Sequence, residues 1–462
     1  MRNKTLDRGA TAMASQRIDI TQVIDSQKFK LFNFNLLIWS FLICFVDGYD
    51  FTAPGYIAPT LVKVWKLGPG SLAPIFSAAI LGILCGSPIL GYFGDRYGRK
   101  TALVVGTVLF AVLTFLSGFA ESLWQLVALR FLTGMALGGV MSLAIVLQAE
   151  FSPRRLRATL VCIMFSGLTV GAGMPGLVAA WIVPQYGWQA VFFVGGVVPI
   201  ILAVCVIKAV PESVKHLTLH PDRRGELSRL LNRIDPTLSI APDAEFIISG
   251  EVQQSKVAFR DLFVGQLRVV TPLLWTMCIM IGIVVYFVQI WTPILLTQLG
   301  VPASQAALSA TAFQVGGMIG VISMGLMFDR WGIKPILAVF IVAIPVIAKV
   351  GTPGLEGAVL GTLLFAAGFL ALGGINGVNV LSSIIYPTYM RGNAVGWAFG
   401  IGRIGFLIGA QVGILRAVFS VTELFYLMAA PLTVAALATL ALGRYRGFTE
   451  HHPADLRMIA TG

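Results

Sequence analysis

Charge is what this sequence has least of. Only 12% of its 462 residues are Asp, Glu, Lys or Arg, against about 25% in soluble domains, which excludes a chain whose whole surface faces water. Histidine is scarcer still. His216, His220, His451 and His452 are the only four, and all lie in polar stretches, so the side chain best suited to titrate near neutrality is missing from every apolar run. The five cysteines (Cys44, Cys85, Cys162, Cys205, Cys278) sit inside apolar runs without a pairing pattern, so packing is expected of them and disulfides are not. No metal-ligand cluster, nucleophile motif or phosphate-binding loop stands in its proper context, which argues against an enzyme and against any metal or cofactor. The first 30 residues are polar and lack the short apolar core and cleavage site of a signal peptide. The first apolar run is therefore expected to be retained.

What the sequence has in plenty is hydrophobic length. Apolar residues make up 57% of the chain, and runs of about 20 residues, enough to cross a hydrocarbon core of ~30 Å, recur throughout. Twelve are read: 31–52, 71–93, 101–120, 123–149, 158–183, 188–209, 269–297, 304–327, 335–351, 355–385, 392–418 and 420–442. The fold class is thus an all-α membrane protein of twelve transmembrane helices. With the N-terminus inside, only Lys63, Lys66, Lys349 and Arg416 of the 33 basic residues fall outside, and Arg130 and Arg403 lie at depth. Short flanks that keep positive charge stay cytoplasmic, so both termini are expected there. The net charge of +12 then reflects this bias and nearby anionic headgroups, and nucleic acid is not an expected partner.

The polar stretch 210–268, with Pro211, Pro221, Pro236 and Pro242, divides the runs six and six. It reads as a cytoplasmic linker without an apolar pattern of its own, between a six-helix half at 31–209 and another at 269–443, with tails at 1–30 and 444–462. The halves match at one offset. Adding 234 carries Asp95, Arg96, Gly98 and Lys100 onto Asp329, Arg330, Gly332 and Lys334, and Pro153 and Arg157 onto Pro387 and Arg391. A duplicated unit in parallel orientation suits two halves that rock around a midplane site, which favours a carrier over a pore.

The loop Gly91-Tyr-Phe-Gly-Asp95-Arg-Tyr-Gly-Arg-Lys100 resembles the signature between helices two and three of the major facilitator superfamily. Narrower marks are Asp47-Gly-Tyr-Asp50, Arg130-Phe-Leu-Thr-Gly134, Ala149-Glu150-Phe-Ser-Pro153 and Gly396-Trp-Ala-Phe-Gly-Ile-Gly-Arg403-Ile-Gly405. They resemble the aromatic acid:proton symporters of that superfamily, and the likeness covers nearly all twelve runs. Ser142-Leu143 departs from the Pro-Asn that many members carry there, which bears on substrate choice. The resemblance implies the two-half major facilitator fold in a bacterial inner membrane. It further implies alternating access and proton-coupled uptake of a small aromatic carboxylate of the benzoate or hydroxybenzoate kind, by a protein expected to be a monomer. A carrier of another organic anion, a drug:proton antiporter and a non-transporting membrane sensor are the rival readings.

Within this frame certain charges need a reason. Asp47 and Asp50 are the only acids read at membrane depth, where each charge costs roughly 2.5–3.5 kcal/mol. Spaced i and i+3 they share a helix face, and repulsion and desolvation both favour a proton on one of them. By elimination of histidine they are the proton carriers. Asp47 and Arg130 come out at similar depth, about 8–10 Å from the outer ends of their spans, as an ion pair that either couples protons or merely joins helices. Arg403, about 18 Å along its span from Arg391, either binds the substrate carboxylate with its planar fork or bonds to helix carbonyls. Their offset partners are uncharged: Ile281, Val284, Leu364 and Thr169. Tyr49, Tyr286, Gln289, Gln314, Asn376, Asn379 and Trp397 could complete a substrate site or simply tie helices together. Asp95, Arg96 and Arg99, with Asp329 and Arg391 in the second half, form the expected inner latch, which Glu150 joins through Arg154 and Arg157.

Overall fold

The computed structural model describes residues 17–444 apart from 69, 154, 236–239, 241–244, 248–258, 356 and 387–389, and leaves undescribed the side chains of residues 158, 162, 221, 245, 329, 383 and 391–393. The first half contains α2 (Leu31–Val64), α3 (Ala73–Tyr97), α4 (Arg99–Ser117), α5 (Leu123–Leu137), α6 (Val140–Glu150), α7 (Arg157–Tyr186) and α8 (Gln189–Ala209). The second contains α11 (Leu267–Gln298), α12 (Ala303–Trp331), α13 (Lys334–Val350), α14 (Gly357–Ile385), α15 (Arg391–Gln411), α16 (Val421–Leu427) and α17 (Ala429–Arg444). Among the described residues, eleven helical segments are long and apolar enough to cross a bilayer, with α5 and α6 forming one and α16 and α17 another. The 17-residue α13 completes the expected twelve.

The duplication reaches the helix boundaries. Adding 234 to the starts of α5 and α7 gives the starts of α14 and α15, and adding it to the ends of α2 and α3 gives the ends of α11 and α12. It also reaches the packing. Without a hydrophobic drive inside lipid, helices associate through close contact at small residues. A methyl group on Gly82 would overlap the carbonyl oxygen of Phe131 where α3 meets α5, and one on Gly316 would overlap that of Phe365 where α12 meets α14. Those are the same pair 234 residues apart.

Two of the sequence-based boundaries change. The first span does not stop near residue 52: α2 runs to Val64 through Pro54 and Pro59, which a membrane helix tolerates when its neighbours satisfy the freed carbonyls. The fourth span is not continuous, because α5 ends at Leu137 and α6 starts at Val140, with Gly138 and Gly139 between.

The linker also departs from expectation. Its α10 (Arg224–Ile234) buries Leu227, Leu230, Leu231 and Ile234, an i, i+3, i+4, i+7 stripe. The stripe joins Ile20 and Ile24 of α1 (Ile20–Ser26) in a core beneath the first half. β1 (Arg17–Asp19) and β2 (Glu245–Ile247) pair in parallel, Arg17 opposite Glu245. Thus part of the N-terminal tail and the linker form one module on the end of the bundle that holds the described chain ends, here called the terminal end.

The halves meet through α2 with α11, α3 with α15, and α7 with α12. All cross-half hydrogen bonds among the described residues lie from mid-helix toward the opposite, far end. Gln411 Nε2 donates to Ser77 Oγ at 2.5 Å, Tyr286 Oη to the Phe76 carbonyl at 3.1 Å, and Thr311 Oγ1 to the Gly173 carbonyl at 3.2 Å. The larger apolar core crosses between the halves on this side. The far end is closed.

Candidate functional site

The site grows from the middle of α2. Because that helix extends to Val64, Asp47 lies 16 residues from its start and 17 from its end, about 24 Å from either end, far deeper than the sequence suggested. Asp50 lies one turn further and is 3% exposed, which removes it from any aqueous mouth.

The buried ion pair is Asp50–Arg130, not Asp47–Arg130. Arg130 Nη1 donates to both carboxylate oxygens of Asp50, at 3.0 and 3.1 Å. Its Nη2 donates to Thr114 Oγ1 at 3.4 Å, Ser117 Oγ at 3.1 Å and Thr133 Oγ1 at 3.2 Å. The guanidinium carbon lies 4.8 Å from the centre of the Phe192 ring, and Thr114 Oγ1 donates to Asp50 Oδ1 at 2.6 Å. Spacing i, i+3 places both acids on one face, and Thr114 and Ser117, themselves one turn apart on α4, decide which acid takes the arginine. Arg130 Nε has no hydrogen-bond partner among the described residues, but both Nη groups are in use and the cation is 1% exposed.

Asp47 differs. It is 6% exposed and has no hydrogen bond among the described residues. The charges acting on it are Asp50 and, across the interface of the halves, Arg403. Arg403 has one hydrogen bond among the described residues, a 3.4 Å contact from Nη1 to Ser87 Oγ, which leaves most of its five donors unspent. Ser87 Oγ in turn donates to the Gly138 carbonyl at 2.5 Å, so the break in the fourth span supplies the acceptor that orients it.

Three rings lie toward the far end of these charges. Tyr286 of α11 stacks on Phe406 of α15 with centroids 5.5 Å apart and planes 17° apart. Phe51 of α2 meets Tyr286 edge-on at 5.5 Å and Phe406 at 6.4 Å. Tyr286 was expected at a substrate site. Phe51 and Phe406 were missed, since nothing marks a phenylalanine in an apolar run except its place one residue beyond Asp50 or three beyond Arg403.

Other expected residues scatter. Tyr49 points into the first half, where its hydroxyl donates to the Val191 carbonyl at 2.9 Å. It also lines an apolar cavity of about 110 Å³ with Phe45, Met174 and Val194. Trp397 packs 4.8 Å from Phe259 of the linker, nearer the terminal end than Arg403. Asn376 Nδ2 donates to the Val321 carbonyl at 3.1 Å and so ties α14 to α12. Asn379 is half-buried, with no side-chain hydrogen bond among the described residues. Gln289 and Gln314 are buried, the latter against Gly173 at the α7–α12 contact.

The expected latch is rearranged as well. Glu150 pairs with Arg99 and accepts from Ser213 Oγ of the linker at 2.6 Å; it does not pair with Arg157. Arg157 instead reaches the Ser152 carbonyl at 3.4 Å and Asp25 at 4.0 Å. Arg96 donates to Tyr92 Oη at 3.1 Å, and Asp95 is exposed without an ion pair among the described residues. The linker's Glu212 takes the place expected of Asp95: its Oε1 accepts from the Lys100 backbone at 3.0 Å, close against Gly98, whose φ of +105° bars a side chain. Arg154 and the side chains of Asp329 and Arg391 lie outside the described residues.

Comparison with known proteins agrees with this architecture. The family model described as Major Facilitator Superfamily matches residues 40–410. The chain is 32% identical over 444 residues to the 4-hydroxybenzoate transporter PcaK of Pseudomonas aeruginosa, covering 96% of this chain and 98% of that one. It is 33% identical over 432 residues to a gallate transporter of Pseudomonas putida, covering 93% and 96%, and 29% identical over 402 residues to a benzoate transport protein of Acinetobacter baylyi, covering 86% of each. Among solved structures, a D-xylose-proton symporter superposes with a TM-score of 0.68 at 18% identity, covering 89% of this chain and 97% of that one. An inward-facing, occupied bacterial homologue of the human lysosomal transporter Spinster does so with a TM-score of 0.67 at 17% identity, covering 90% and 98%. The chain belongs to the major facilitator superfamily, in the branch that holds the 4-hydroxybenzoate, gallate and benzoate transporters.

Proposed function

We propose that this protein carries a small aromatic carboxylate into the cell together with protons by alternating access, and that Asp47 and Arg403 are the pair through which the two cargoes interact. One observation carries the reading: among the described residues, Arg130 has both Nη groups committed, whereas Arg403, the other mid-membrane arginine, holds one long contact and lies across the interface from an acid that makes no hydrogen bond there. A substrate carboxylate takes the unspent donors of Arg403 bidentately, and a proton on Asp47 removes the charge that would repel it. Asp50, satisfied by Arg130 and Thr114, is a fixed neighbour one turn away from Asp47. The relatives' substrates support the aromatic class. The protein acts as a monomer without catalytic chemistry, in the bacterial inner membrane with both termini cytoplasmic, so the closed far end is periplasmic and the conformation inward-facing.

Arg403→Ala, Arg403→Lys and Asp47→Asn in proteoliposomes with an imposed proton gradient test this. Arg403→Ala should lower benzoate affinity about a hundredfold or more. Lysine should fall between, because it keeps the charge and loses the fork. Asp47→Asn should abolish gradient-driven accumulation while sparing counterflow. Benzoate binding to Arg403→Ala within about twofold of the parent would show that this arginine does not hold the anion.

A further inference from the structure

We propose that Phe51 and Phe406, backed by Tyr286, form the surface that receives the ring of the substrate and give this carrier its preference for aromatic over saturated acids. The proposal rests on the reading of Arg403 as the carboxylate anchor and adds the residues that recognise the rest of the molecule.

The three rings come from three helices and both halves: Phe51 from α2, Tyr286 from α11 and Phe406 from α15. Their separations of 5.5, 5.5 and 6.4 Å lie within the range in which aromatic quadrupoles attract. They differ in freedom. Tyr286 is 2% exposed and pinned by its hydroxyl to the Phe76 carbonyl, and Phe76 meets Trp291 edge-on at 5.1 Å. Its ring is a fixed backing. Phe51 and Phe406 are half-buried, so each keeps ring surface that the protein does not cover.

Position supplies the second argument. Phe406 lies three residues beyond Arg403 on one helix, on the same face and ~4.5 Å further along the axis. An acid whose carboxylate sits directly on its ring therefore brings that ring level with Phe406 when Arg403 holds the anion. Phe51 follows Asp50, whose position is set by Arg130, so the ring surface of the first half is anchored to the charge network. The cross-half hydrogen bonds beyond the rings, at Ser77 and Gly173, close the far side. Among the described residues none crosses between the halves on the terminal side of Arg403, so a ring approaching from there meets Phe51 and Phe406 last.

The experiment measures binding of two acids to the purified full chain: benzoate, and cyclohexanecarboxylate, which has the same charge and nearly the same size but no π face. The parent protein should bind benzoate more tightly. Phe406→Leu and Phe51→Leu should each weaken benzoate about two- to tenfold, the worth of one aromatic contact, and leave cyclohexanecarboxylate within about twofold, so the ratio collapses. Phe406→Tyr keeps the ring and should keep the ratio. If Phe406→Leu does not fold, Phe51→Leu carries the test by itself. An unchanged ratio in the leucine variants, with benzoate still bound in an Arg403-dependent way, overturns the ring assignment and leaves the carboxylate reading standing. Failure of the parent protein to bind either acid overturns both.

Discussion

Breaking the Asp50–Arg130 pair from one side should cost far more than removing it. The cation spends five hydrogen bonds on Asp50, Thr114, Ser117 and Thr133 and lies against Phe192, with both partners almost wholly buried. Arg130→Met leaves Asp50 one donor, Thr114, and an uncompensated charge, and Asp50→Asn leaves a guanidinium with neutral acceptors only, the three hydroxyls and one amide oxygen. Either change should destabilise by roughly 3–5 kcal/mol. The double variant has no charge left to desolvate, and at mid-membrane each charge costs about 2.5–3.5 kcal/mol to place. It should therefore recover most of the loss while remaining unable to accumulate substrate. Thermal unfolding of the purified protein in detergent, followed by tryptophan fluorescence, gives the stability comparison, and proteoliposome uptake gives the functional one. If the two single losses simply add in the double variant, the residues are not coupled and Arg130 is held by its hydroxyl partners alone.

Gly176→Val places a side chain where Thr311 Oγ1 and the Ala307 carbonyl already sit, so it should hold the far end open, and spin-label distances across that end should lengthen by several ångströms; unchanged distances would mean α7 and α12 do not gate. Asp95→Asn should leave the melting temperature unchanged, because the carboxylate makes no ion pair among the described residues here, yet slow turnover several-fold if Asp95 pairs in the outward state; unaltered turnover removes it from the cycle. Leu231→Asp should detach the tail-and-linker module, with a loss of about 2–5 kcal/mol and faster proteolysis within 210–268. His216 of α9 (Val214–Thr218) is held below its ordinary pKa, first by burial and then by His220 and Arg223, against the pull of Glu212 and the Asp95 carbonyl. Its stabilising contribution is therefore complete above the ordinary imidazole range and is lost as pH falls through the lowered value, so acid melting should be less steep in His216→Gln than in the parent.

The parts of the fold that depend on long patterns are legible in the sequence: twelve apolar runs, and the 234-residue repeat that relates the starts of α7 and α15. The parts that depend on short range are not. The first run was ended near residue 52, short of Pro54 and Pro59, yet α2 continues through both, because in lipid the unsatisfied backbone of a loop costs more than a distorted helix. That error moved Asp47 about 18 Å toward one end and made Asp47–Arg130 look level. The partner of Arg130 was decided by Thr114 and Ser117, ordinary residues in an apolar span whose facing follows from packing alone. Phe51 and Phe406 were hidden for the same reason. The stripe Leu227, Leu230, Leu231, Ile234 was readable and was passed over, because the prolines around it marked the segment as linker.

Duplication supplies the scaffold and departures from it supply the chemistry. Gly82 and Gly316 make the same contact, and Ser77 and Thr311, also 234 residues apart, both serve cross-half hydrogen bonds at the closed end. The two halves thereby present repeat-related contacts to each other at the closed end. On the proposed reading charge distinguishes the halves: Asp47 is in one half and Arg403 in the other, while their counterparts Ile281 and Thr169 are neutral. With both ionised on that reading, opposite charges stand on the two sides of the interface and attract. An anion on Arg403 alone adds a second negative group beside Asp47, and a proton on Asp47 alone leaves Arg403 uncompensated in a medium where that is costly. Only the empty ionised pair and the doubly loaded state, in which neutral Asp47 accompanies a neutralised Arg403, leave no net charge at the interface. On this reading those two states are the ones free to interconvert, which couples acid to proton without any contact between the cargoes.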